Sequence, residues 1–280
     1  MGVDGDLLKQ YTMATWGYKQ GESVSLMIHL GVRLGLYEAL DGAGPVTPGD
    51  LAAATGLHER WLREWLRSQA AAGLMVSEEG ETFELQTEAA MVLARKGTPT
   101  YAGGVFSHLR SPKVADGLAE AFRTGLGLTY DGQGEGSEQH VEAMLAPMAR
   151  ALLVPKVIPA LDGVADRLVA GAKVVDVGCG TGLALELMAA EWPDCTFEGY
   201  DVSERAVSVA RERFEGVDNV TIHLAGGEDV PPTADVDLMM TLDCLHDMPR
   251  PDLAMGAIRS AIAPEGTWLV KEIKSSPEWS

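Results

Sequence analysis

The stretch Lys173 to Leu187, KVVDVGCGTGLALEL, constrains the fold most strongly, because it combines a strand, a tight turn and a helix start. A run of β-branched residues broken only by Asp176 leads to glycines at 178, 180 and 182, and helical apolar spacing follows. Such glycines remove Cβ where a ligand approaches the backbone, and they permit positive φ. The helix that begins near Gly182 presents free N–H groups and a partial positive charge. We therefore expect a small molecule to bind on this turn.

An acidic residue follows the next predicted strand. The glycines are spaced G-x-G-x-G, unlike the G-x-G-x-x-G of dinucleotide-binding turns, and Asp201 closes an apolar strand that begins at Thr196. An acid at the end of a neighbouring strand can accept hydrogen bonds from both ribose hydroxyls of a nucleoside. Glycine-rich turns also occur for packing alone, but the triplet with Asp176 before it and Asp201 after it favours a nucleoside ligand.

Strand and helix patterns alternate through the C-terminal half. We predict strands at 173–177, 196–201, 219–224, 236–241 and 266–273, and helices at 182–192, 204–214 and 252–263. This alternation requires a parallel sheet with right-handed crossovers. Ligands of such sheets lie at the carboxyl ends of the strands, so the Gly178 to Gly182 turn, Asp201 and the segment Thr241 to His246 should meet in one crevice.

Composition excludes several classes of function. The net charge of −19 opposes binding to nucleic acid or to an anionic membrane, because both depend on Lys and Arg. Three cysteines without C-x-x-C spacing indicate a reducing compartment, with no metal site and no disulfide framework. A targeting signal and a run of 18 apolar residues are both missing from the sequence. We therefore expect a cytoplasmic protein.

The N-terminal half has the element order of a winged helix. Helices are predicted at 7–40, 48–56 and 58–72, and short strands at 74–76 and 82–85 follow. Thr47, Pro48 and Asp50 form the start signal of the second helix. DNA binding is the alternative function, because Arg60, Arg63 and Arg67 share one face of the third helix. Interleaved glutamates and the acidic hairpin favour a solvated face instead.

Residues 98–160 are rich in helix breakers and are predicted to form a helical connector, with helices at 113–123 and 137–152. Tyr130, His140 and Met144 are candidates for lining an acceptor cavity, although a packing or surface position is the favoured explanation for each of them. The predicted domains are therefore a winged helix over 1–97, this connector over 98–160 and a ligand-binding α/β domain over 161–280.

Four segments together resemble the successive motifs of class I S-adenosylmethionine-dependent methyltransferases: VVDVGCGTG (174–182), GYDVS (199–203), VDLMMTLDCLHD (236–247) and GTWLVKEI (266–273). The N-terminal half is similar to the winged-helix dimerisation domain of small-molecule O-methyltransferases. The resemblance implies a Rossmann-like doubly wound α/β sheet, S-adenosyl-L-methionine as cofactor, S-adenosyl-L-homocysteine as product, a small-molecule acceptor and a homodimer formed through the N-terminal domain.

The resemblance also assigns roles to single residues. Gly178 and Gly180 would hold the methionine and ribose parts, Asp201 the ribose hydroxyls and Val202 the adenine face. The family usually has an acid after the third strand, but Gly226 stands there, so adenine would contact the backbone of Gly227 and Glu228 or the Asp229 side chain. Four further residues complete the predicted cofactor site: Asp176, Cys179, Gly182 and Thr241.

His246 is the candidate catalytic base, because it matches the histidine of the His-Asp pair in plant-type O-methyltransferases. A hydroxyl or phenol is a better nucleophile once deprotonated, and imidazole titrates in the required range. Alternatively His246 is part of an adenosine-pocket wall. Asp243 and Asp247 would raise its pKa or cap the following turn.

The sequence departs from the family after the fifth strand, because the last two strands of the class I sheet are absent and Val270 and Ile273 would lie on a bare edge. A partner subunit could cover that edge, the chain could be a truncated form, or the protein could bind the cofactor without turnover. Two functions therefore stay open: a small-molecule methyltransferase, and a cofactor-binding regulatory or structural winged-helix protein.

Overall fold

The computed structural model describes residues 2–274 and residue 276, and the chain separates into two compact units, Met1–Leu109 and Arg110–Ser280. The first unit is mostly helical and the second is α/β, which confirms the predicted fold class. Among the described residues, no helix has both the length and the apolar character that crossing a bilayer requires.

The first unit contains five helices and a hairpin in the described residues. They are α1 (Gly5–Arg33), α2 (Leu36–Leu40), α3 (Pro48–Thr55), α4 (Glu59–Ala71), β1 (Val76–Glu78), β2 (Thr82–Glu84) and α5 (Thr87–Leu93). The single helix predicted over 7–40 is interrupted at Gly35, whose φ of 68° lies in the left-handed region. Thr47 and Asp50 form the predicted capping box at the start of α3, which ends at Gly56.

One hydrophobic core joins the helices of the first unit to its hairpin. Trp65 of α4 meets Tyr37 of α2 edge-on with ring centroids 5.2 Å apart, and Phe83 of β2 is buried beside them. The arginines on the outer face of α4 form ion pairs, Arg60 with Glu64, Arg63 with Glu59 and Arg67 with Glu81. These pairs neutralise the basic stripe that DNA binding would require.

The second unit begins with helices and continues as a regular alternation of strands and helices. Its elements are α6 (Pro112–Thr124), α7 (Ser137–Leu152), α8 (Val164–Val169), β3 (Lys173–Val177), α9 (Leu183–Glu191), β4 (Thr196–Asp201), α10 (Glu204–Arg213), β5 (Val220–Leu224), β6 (Val236–Leu242), α11 (Pro251–Ala261) and β7 (Ile262–Lys271). A π-helical turn, Leu153–Val157, extends α7.

The five strands β3 to β7 form one parallel sheet in the order β5-β4-β3-β6-β7. The order reverses between β3 and β6, which is where open parallel sheets bind ligands beyond the carboxyl ends of their strands. Separate hydrophobic clusters cover the two faces of the sheet, one around Phe197 and Leu185 and the other around Met239 and Ile258. The fold therefore places the glycine turn after β3 beside the segment that follows β6.

The last strand differs from its predicted range of 266–273, because β7 covers residues 262–271 and α11 ends at Ala261. A register shift opposite Val236 and Leu238 accommodates the early start. Glu272 consequently lies just beyond the carboxyl end of β7. Val270 and Ile273 are 47% and 66% exposed, and no strand in the described part of the chain pairs with the free edge of β7.

Candidate functional site

A cavity of about 1130 Å³ opens within the second unit at the carboxyl ends of the parallel strands. Its volume exceeds the roughly 300–1,000 Å³ that is typical for one small ligand, so it has room for two. We name its two walls. The turn side comprises Asp176 to Thr181, Tyr200 to Ser203 and Ala225 to Glu228, and the helix side comprises α7, the π-helical turn and the residues that follow β6 and β7.

Most of the predicted cofactor-binding residues line the turn side. They are Asp176, Gly178, Cys179, Gly180, Asp201, Val202, Gly227 and Glu228. Three others lie elsewhere. Gly182 begins α9, where a Cβ would lie 2.7 Å from the Phe214 ring, and Asp229 accepts a hydrogen bond from the Gly226 N–H at 3.0 Å. Thr241 is fully buried, and its Oγ1 accepts a hydrogen bond from Trp268 Nε1 at 3.1 Å.

Two glycines give the turn its shape. Gly178 has φ 75°, and a Cβ there would lie 2.6 Å from Cys244 Cβ, so no other residue fits without displacing the segment after β6. Gly180 has φ 54°, faces open space and donates its N–H to Asp201 Oδ2 at 2.8 Å. The turn is therefore bonded to the end of the neighbouring strand, with bare backbone toward the cavity.

Asp201 is held by backbone on both oxygens, because Oδ1 accepts from the Ser203 N–H at 2.8 Å while Oδ2 accepts from Gly180. Burial raises the pKa of this carboxyl, and the two backbone hydrogen bonds oppose that rise. A carboxylate oxygen accepts more than one hydrogen bond. The group is thus fixed in orientation and keeps acceptor capacity for a pair of ligand hydroxyls.

Asp176 is a buried carboxyl on the turn side whose pKa is strongly raised. Its side chain is 2% exposed, and Oδ1 has no hydrogen-bond partner among the described residues. Burial, and then the nearby charge of Asp201, raise the pKa of Asp176 to about 8. An unpartnered buried acceptor is costly unless a ligand satisfies it, and a cationic donor would lower its pKa again.

The predicted base, His246, is not part of the cavity lining itself but contacts two acids that are. Its Nδ1 is hydrogen-bonded to Glu272 Oε2 and its Nε2 is 3.7 Å from Asp247 Oδ1, and both acids line the helix side. The hydrogen bond to Glu272 is the main cause of a raised His246 pKa. Glu272 also accepts from the Leu245 N–H at 2.8 Å, which fixes the carboxylate beside the imidazole.

The helix side is mainly apolar. Met144, Leu145 and Met148 of α7 line it together with Leu153 and Val157 of the π-helical turn. Methionine adapts its shape to irregular ligands. Tyr130 also lines the cavity, as proposed from the sequence, whereas His140 lies outside the lining.

Glu142 of α7 connects the two sides. Its carboxylate accepts hydrogen bonds from Thr181 Oγ1 in the glycine turn and from Arg213 Nη2 of α10 at 2.8 Å. The side chains of Glu142 and Arg213 are both 18% exposed, so water screens the pair only partly. The helix that forms one wall is therefore bonded directly to the turn that forms the other.

The segment after β6 also contributes a thiol, Cys244, to the cavity wall. Cys244 Sγ donates to the Val177 carbonyl at 3.1 Å, and burial is the main cause that raises its pKa to about 12, so it stays protonated near neutral pH. Within the described residues, no group of three His, Cys, Asp or Glu side chains is arranged to hold a metal ion.

Sequence reasoning missed Glu272 and Glu142. A signal existed for Glu272, because an acid at the carboxyl end of a parallel strand is placed like Asp201, the last residue of β4. None existed for Glu142, whose partners, Thr181 and Arg213, are 39 and 71 residues away.

Comparisons with known families agree with this geometry. Residues 168–279 match a family described as a methyltransferase domain, and residues 22–95 match one described as an Rv2258c-like winged HTH domain. Trans-aconitate 2-methyltransferase of Mycobacterium ulcerans is 32% identical over 107 residues, which are 38% of this chain and 38% of that protein. The match thus spans well under half of this relative.

Solved structures share the fold across both units. The mitomycin 7-O-methyltransferase MmcR aligns with a TM-score of 0.66 and 23% identity, covering 98% of this chain and 84% of that one. Human N-acetylserotonin methyltransferase, solved in complex with SAM, aligns with a TM-score of 0.64 and 19% identity, covering 96% and 80%. At these identities the likeness shows the fold alone.

Proposed function

We propose, from the premise that this chain carries a methyltransferase domain behind a winged helix-turn-helix domain, that it transfers the methyl group of S-adenosyl-L-methionine to a small-molecule acceptor. The curated relative cited above is matched over 38% of its length, so the proposal depends on the chemistry of the cavity. The volume of that cavity, which allows a methyl donor and an acceptor together, supports it.

The observation that carries the proposal is the unpartnered Oδ1 of buried Asp176 on the turn side. The amino-acid part of S-adenosylmethionine bears an ammonium group, which is the cationic donor that this carboxylate lacks. Gly178 and Gly180 leave backbone bare for the methionine and ribose, and Asp201 has acceptor capacity for the ribose diol. The residues present therefore fit this cofactor.

Adenine would lie toward the rim of the turn side. Val202 is 68% exposed there and offers an apolar face, and the backbone of Gly227 and Glu228 lines the same region. Asp229 is already bonded to the Gly226 N–H, which favours the backbone over the Asp229 side chain as the adenine partner. When bound, S-adenosylmethionine supplies an electrophilic methyl group on a sulfonium.

We propose His246 as the base for a hydroxyl or phenol acceptor. Glu272 would accept a hydrogen bond from Nδ1–H, so that Nε2 is the nitrogen that takes the proton of the acceptor oxygen as that oxygen is methylated. The hydrogen bond with Glu272 suits this task, because it raises the pKa of His246 and so stabilises the imidazolium that forms. Asp247, 3.7 Å from Nε2, would stabilise the same positive charge.

Calorimetry with S-adenosylmethionine tests cofactor binding. Asp201→Ala should weaken binding about 10- to 100-fold, the range expected when hydrogen bonds to a charged group are lost. The matched control is Asp218→Ala, which removes an exposed aspartate outside the cavity and should leave the affinity unchanged. Failure of the unaltered chain to bind S-adenosylmethionine would overturn the proposal.

A screen for turnover separates catalysis from cofactor binding alone. The full chain should methylate at least one compound in a panel of phenols, thiols and amines, and His246→Ala should reduce the rate on a phenol by about 10²- to 10⁴-fold. Full activity of that variant would exclude His246 as the base. Tight cofactor binding without turnover across the panel would favour a regulatory or structural role.

We further propose that the chain forms a homodimer through α1. Residues 2–23 are all exposed, although they include Leu7, Leu8, Tyr11 and Trp16. Helices derive most of their stability in water from packing of an apolar face, so this part of α1 needs a partner. Sedimentation should show a dimer that Leu8→Asp with Trp16→Asp converts to a monomer, whereas Val169→Asp, at an exposed site in the second unit, should not. A monomeric unaltered chain would contradict the proposal.

A further inference from the structure

Two adjacent residues in the loop between α6 and α7 contact both rims of the cavity. Within this loop, residues 125–136, which we name the strap, Tyr130 OH donates to Asp247 Oδ2 at 3.4 Å. Asp131 accepts from Ser203 Oγ at 2.6 Å and from the Glu204 N–H at 3.1 Å. Asp247 follows β6, whereas Ser203 and Glu204 follow β4. The strap therefore spans the ends of β4 and β6, between which the glycine turn after β3 lies.

Asp131 is connected through one residue, Ser203, to Asp201, the proposed partner of the ribose hydroxyls. Ser203, which is 3% exposed, donates its Oγ to Asp131 and its N–H to Asp201 Oδ1. The hydrogen bond from Ser203 is the main cause of the lowered pKa of Asp131, so the group is ionised near neutral pH. A charged acceptor thus fixes the serine that in turn helps to fix Asp201.

Tyr130 lies over the interior of the same cavity. Burial is the main cause that raises the pKa of its phenol, and the charges of Asp247 and Asp201 raise it further. Both carboxylates therefore lie close enough to act on one hydroxyl. Tyr130 lines the cavity and is 38% exposed, so the residue faces both the cavity and solvent.

The backbone of the strap contains points at which it can turn. Gly125, Gly134 and Gly136 have φ of 73°, 105° and 83°, in the left-handed region that glycine adopts at little cost. They lie on either side of Tyr130 and Asp131. The two anchors therefore lie between glycines, the residue type that most easily accommodates a change in backbone direction.

We propose that Asp131 is a positioning residue for the cofactor, that Tyr130 covers the bound cofactor, and that the strap controls how fast the cofactor and its demethylated product leave. This inference rests on the proposed function, since it takes S-adenosylmethionine as the ligand of the turn side. It adds two residues from a segment that the glycine turn and the strand ends do not include.

The test measures the dissociation rate of S-adenosylhomocysteine from the full chain by stopped-flow displacement. Asp131→Ala should raise that rate about 10-fold or more, the effect expected from losing hydrogen bonds to a charged group. Asp131→Asn keeps one acceptor oxygen and should recover part of the retention. The matched control is Glu135→Ala, an exposed acid in the same strap that lies outside the cavity lining, which should stay within about twofold of the unaltered chain.

A pair of tyrosine variants tests the cover independently of the anchor. Tyr130→Ala should speed dissociation several-fold, whereas Tyr130→Phe keeps the ring and should do so by about twofold or less, because the hydroxyl makes only a long hydrogen bond. Tyr101→Phe, a loss of hydroxyl in the first unit, is the control. Neither tyrosine variant removes the bonds of Asp131, so this arm stands even if the Asp131 variants do not fold.

The outcomes distinguish the two proposals. If the unaltered chain does not bind S-adenosylhomocysteine, the proposed function and this inference both fail. If it binds, and Tyr130→Ala and the folded Asp131→Ala each release it at the unaltered rate, only the role of the strap is overturned. A general loss of stability would lower the melting temperature without a selective rise in the dissociation rate, which would also overturn the role.

Discussion

The turn side and the helix side of the cavity offer different chemical groups to a ligand. The turn side offers bare backbone at Gly178 and Gly180 and two buried carboxylates, Asp176 and Asp201. The helix side offers apolar side chains from α7, with charged groups that are already paired, such as Lys271 with Asp243 and His246 with Glu272. A wall of fixed backbone with an unpartnered carboxyl oxygen selects one ligand, whereas a wall of methionine and leucine adapts to many.

The largest effect should come from a methyl group on the turn side. Gly178→Ala places a Cβ 2.6 Å from Cys244 Cβ at a φ of 75°, and should weaken S-adenosylmethionine binding by more than about 100-fold because the turn must move. Gly216→Ala is the matched control, since Gly216 has φ 78° with open space around it, outside the cavity lining. Equal affinities for the two variants in calorimetry would mean that the shape of the turn does not hold the ligand.

Asp176→Asn should alter the pH dependence of both stability and binding. Because the Asp176 pKa is raised from 3.8 to about 8, the folded state keeps a proton that the unfolded state loses between these values. The free energy of unfolding should therefore fall as pH rises through this window, and the variant should lack that contribution. Urea unfolding at pH 5 and pH 8 measures it. Parallel changes in both proteins would contradict the buried, protonated carboxyl.

The same residue links binding to proton release. At neutral pH the ammonium of S-adenosylmethionine should ionise Asp176, so binding to the unaltered chain should release a proton and binding to Asp176→Asn should not. Calorimetry in buffers of different ionisation enthalpy counts the protons. Affinity of the variant should fall about 10-fold or more through the lost charge. Equal proton release would place the ionisation at another group.

On the helix side, Glu272→Gln should act on catalysis and leave the cofactor in place. Loss of the carboxylate at Nδ1 should lower the His246 pKa and move the acid limb of the rate profile to lower pH. The control Asp252→Asn removes an exposed carboxylate that is paired with Arg250. An unchanged profile would remove the His246 and Glu272 pair from the proton transfer.

The smallest effect should come from a single apolar residue of the adaptable wall. Met148→Ala should change kcat/KM among acceptors of different size only a few-fold, because neighbouring side chains can adjust. Met148 is 49% exposed, so stability should change by less than about 1 kcal/mol. Met255→Ala is an exposed methionine control on α11. Loss of S-adenosylmethionine affinity in Met148→Ala would contradict the proposal that the turn side binds the methyl donor and the helix side binds the acceptor.

The turn side could be predicted from the sequence, because its residues have fixed places at strand ends. In a parallel sheet of this order, glycines after β3 and an acid at the end of β4 mark the same crevice. The positions of Gly178 and Asp201 could therefore be predicted without the structure. Thr241 shows the limit of that reasoning. The strand β6 continues to Leu242, and the Thr241 side chain is fully buried and outside the cavity lining.

The helix side could not be predicted to the same depth. Methionine and leucine at helical spacing give the same pattern whether they face a core or a cavity. The sequence therefore did not decide whether Met144 lines the cavity or packs elsewhere. Glu272 was hidden by a boundary error, since the strand predicted over 266–273 includes a residue that lies beyond the end of β7. Contacts between distant segments, such as Tyr130 with Asp247, have no local signature at all.

The Glu142 carboxylate joins α7, which would contact the acceptor, to Thr181 in the glycine turn, which would contact the methyl donor. It also joins α7 to Arg213. An acceptor that displaces α7 when it binds should therefore also displace the glycine turn, and so change the affinity for the methyl donor. Coupling of this kind is reciprocal, so each substrate should change the affinity of the other by the same factor. The two substrates would then bind cooperatively, and Glu142→Gln should make them independent.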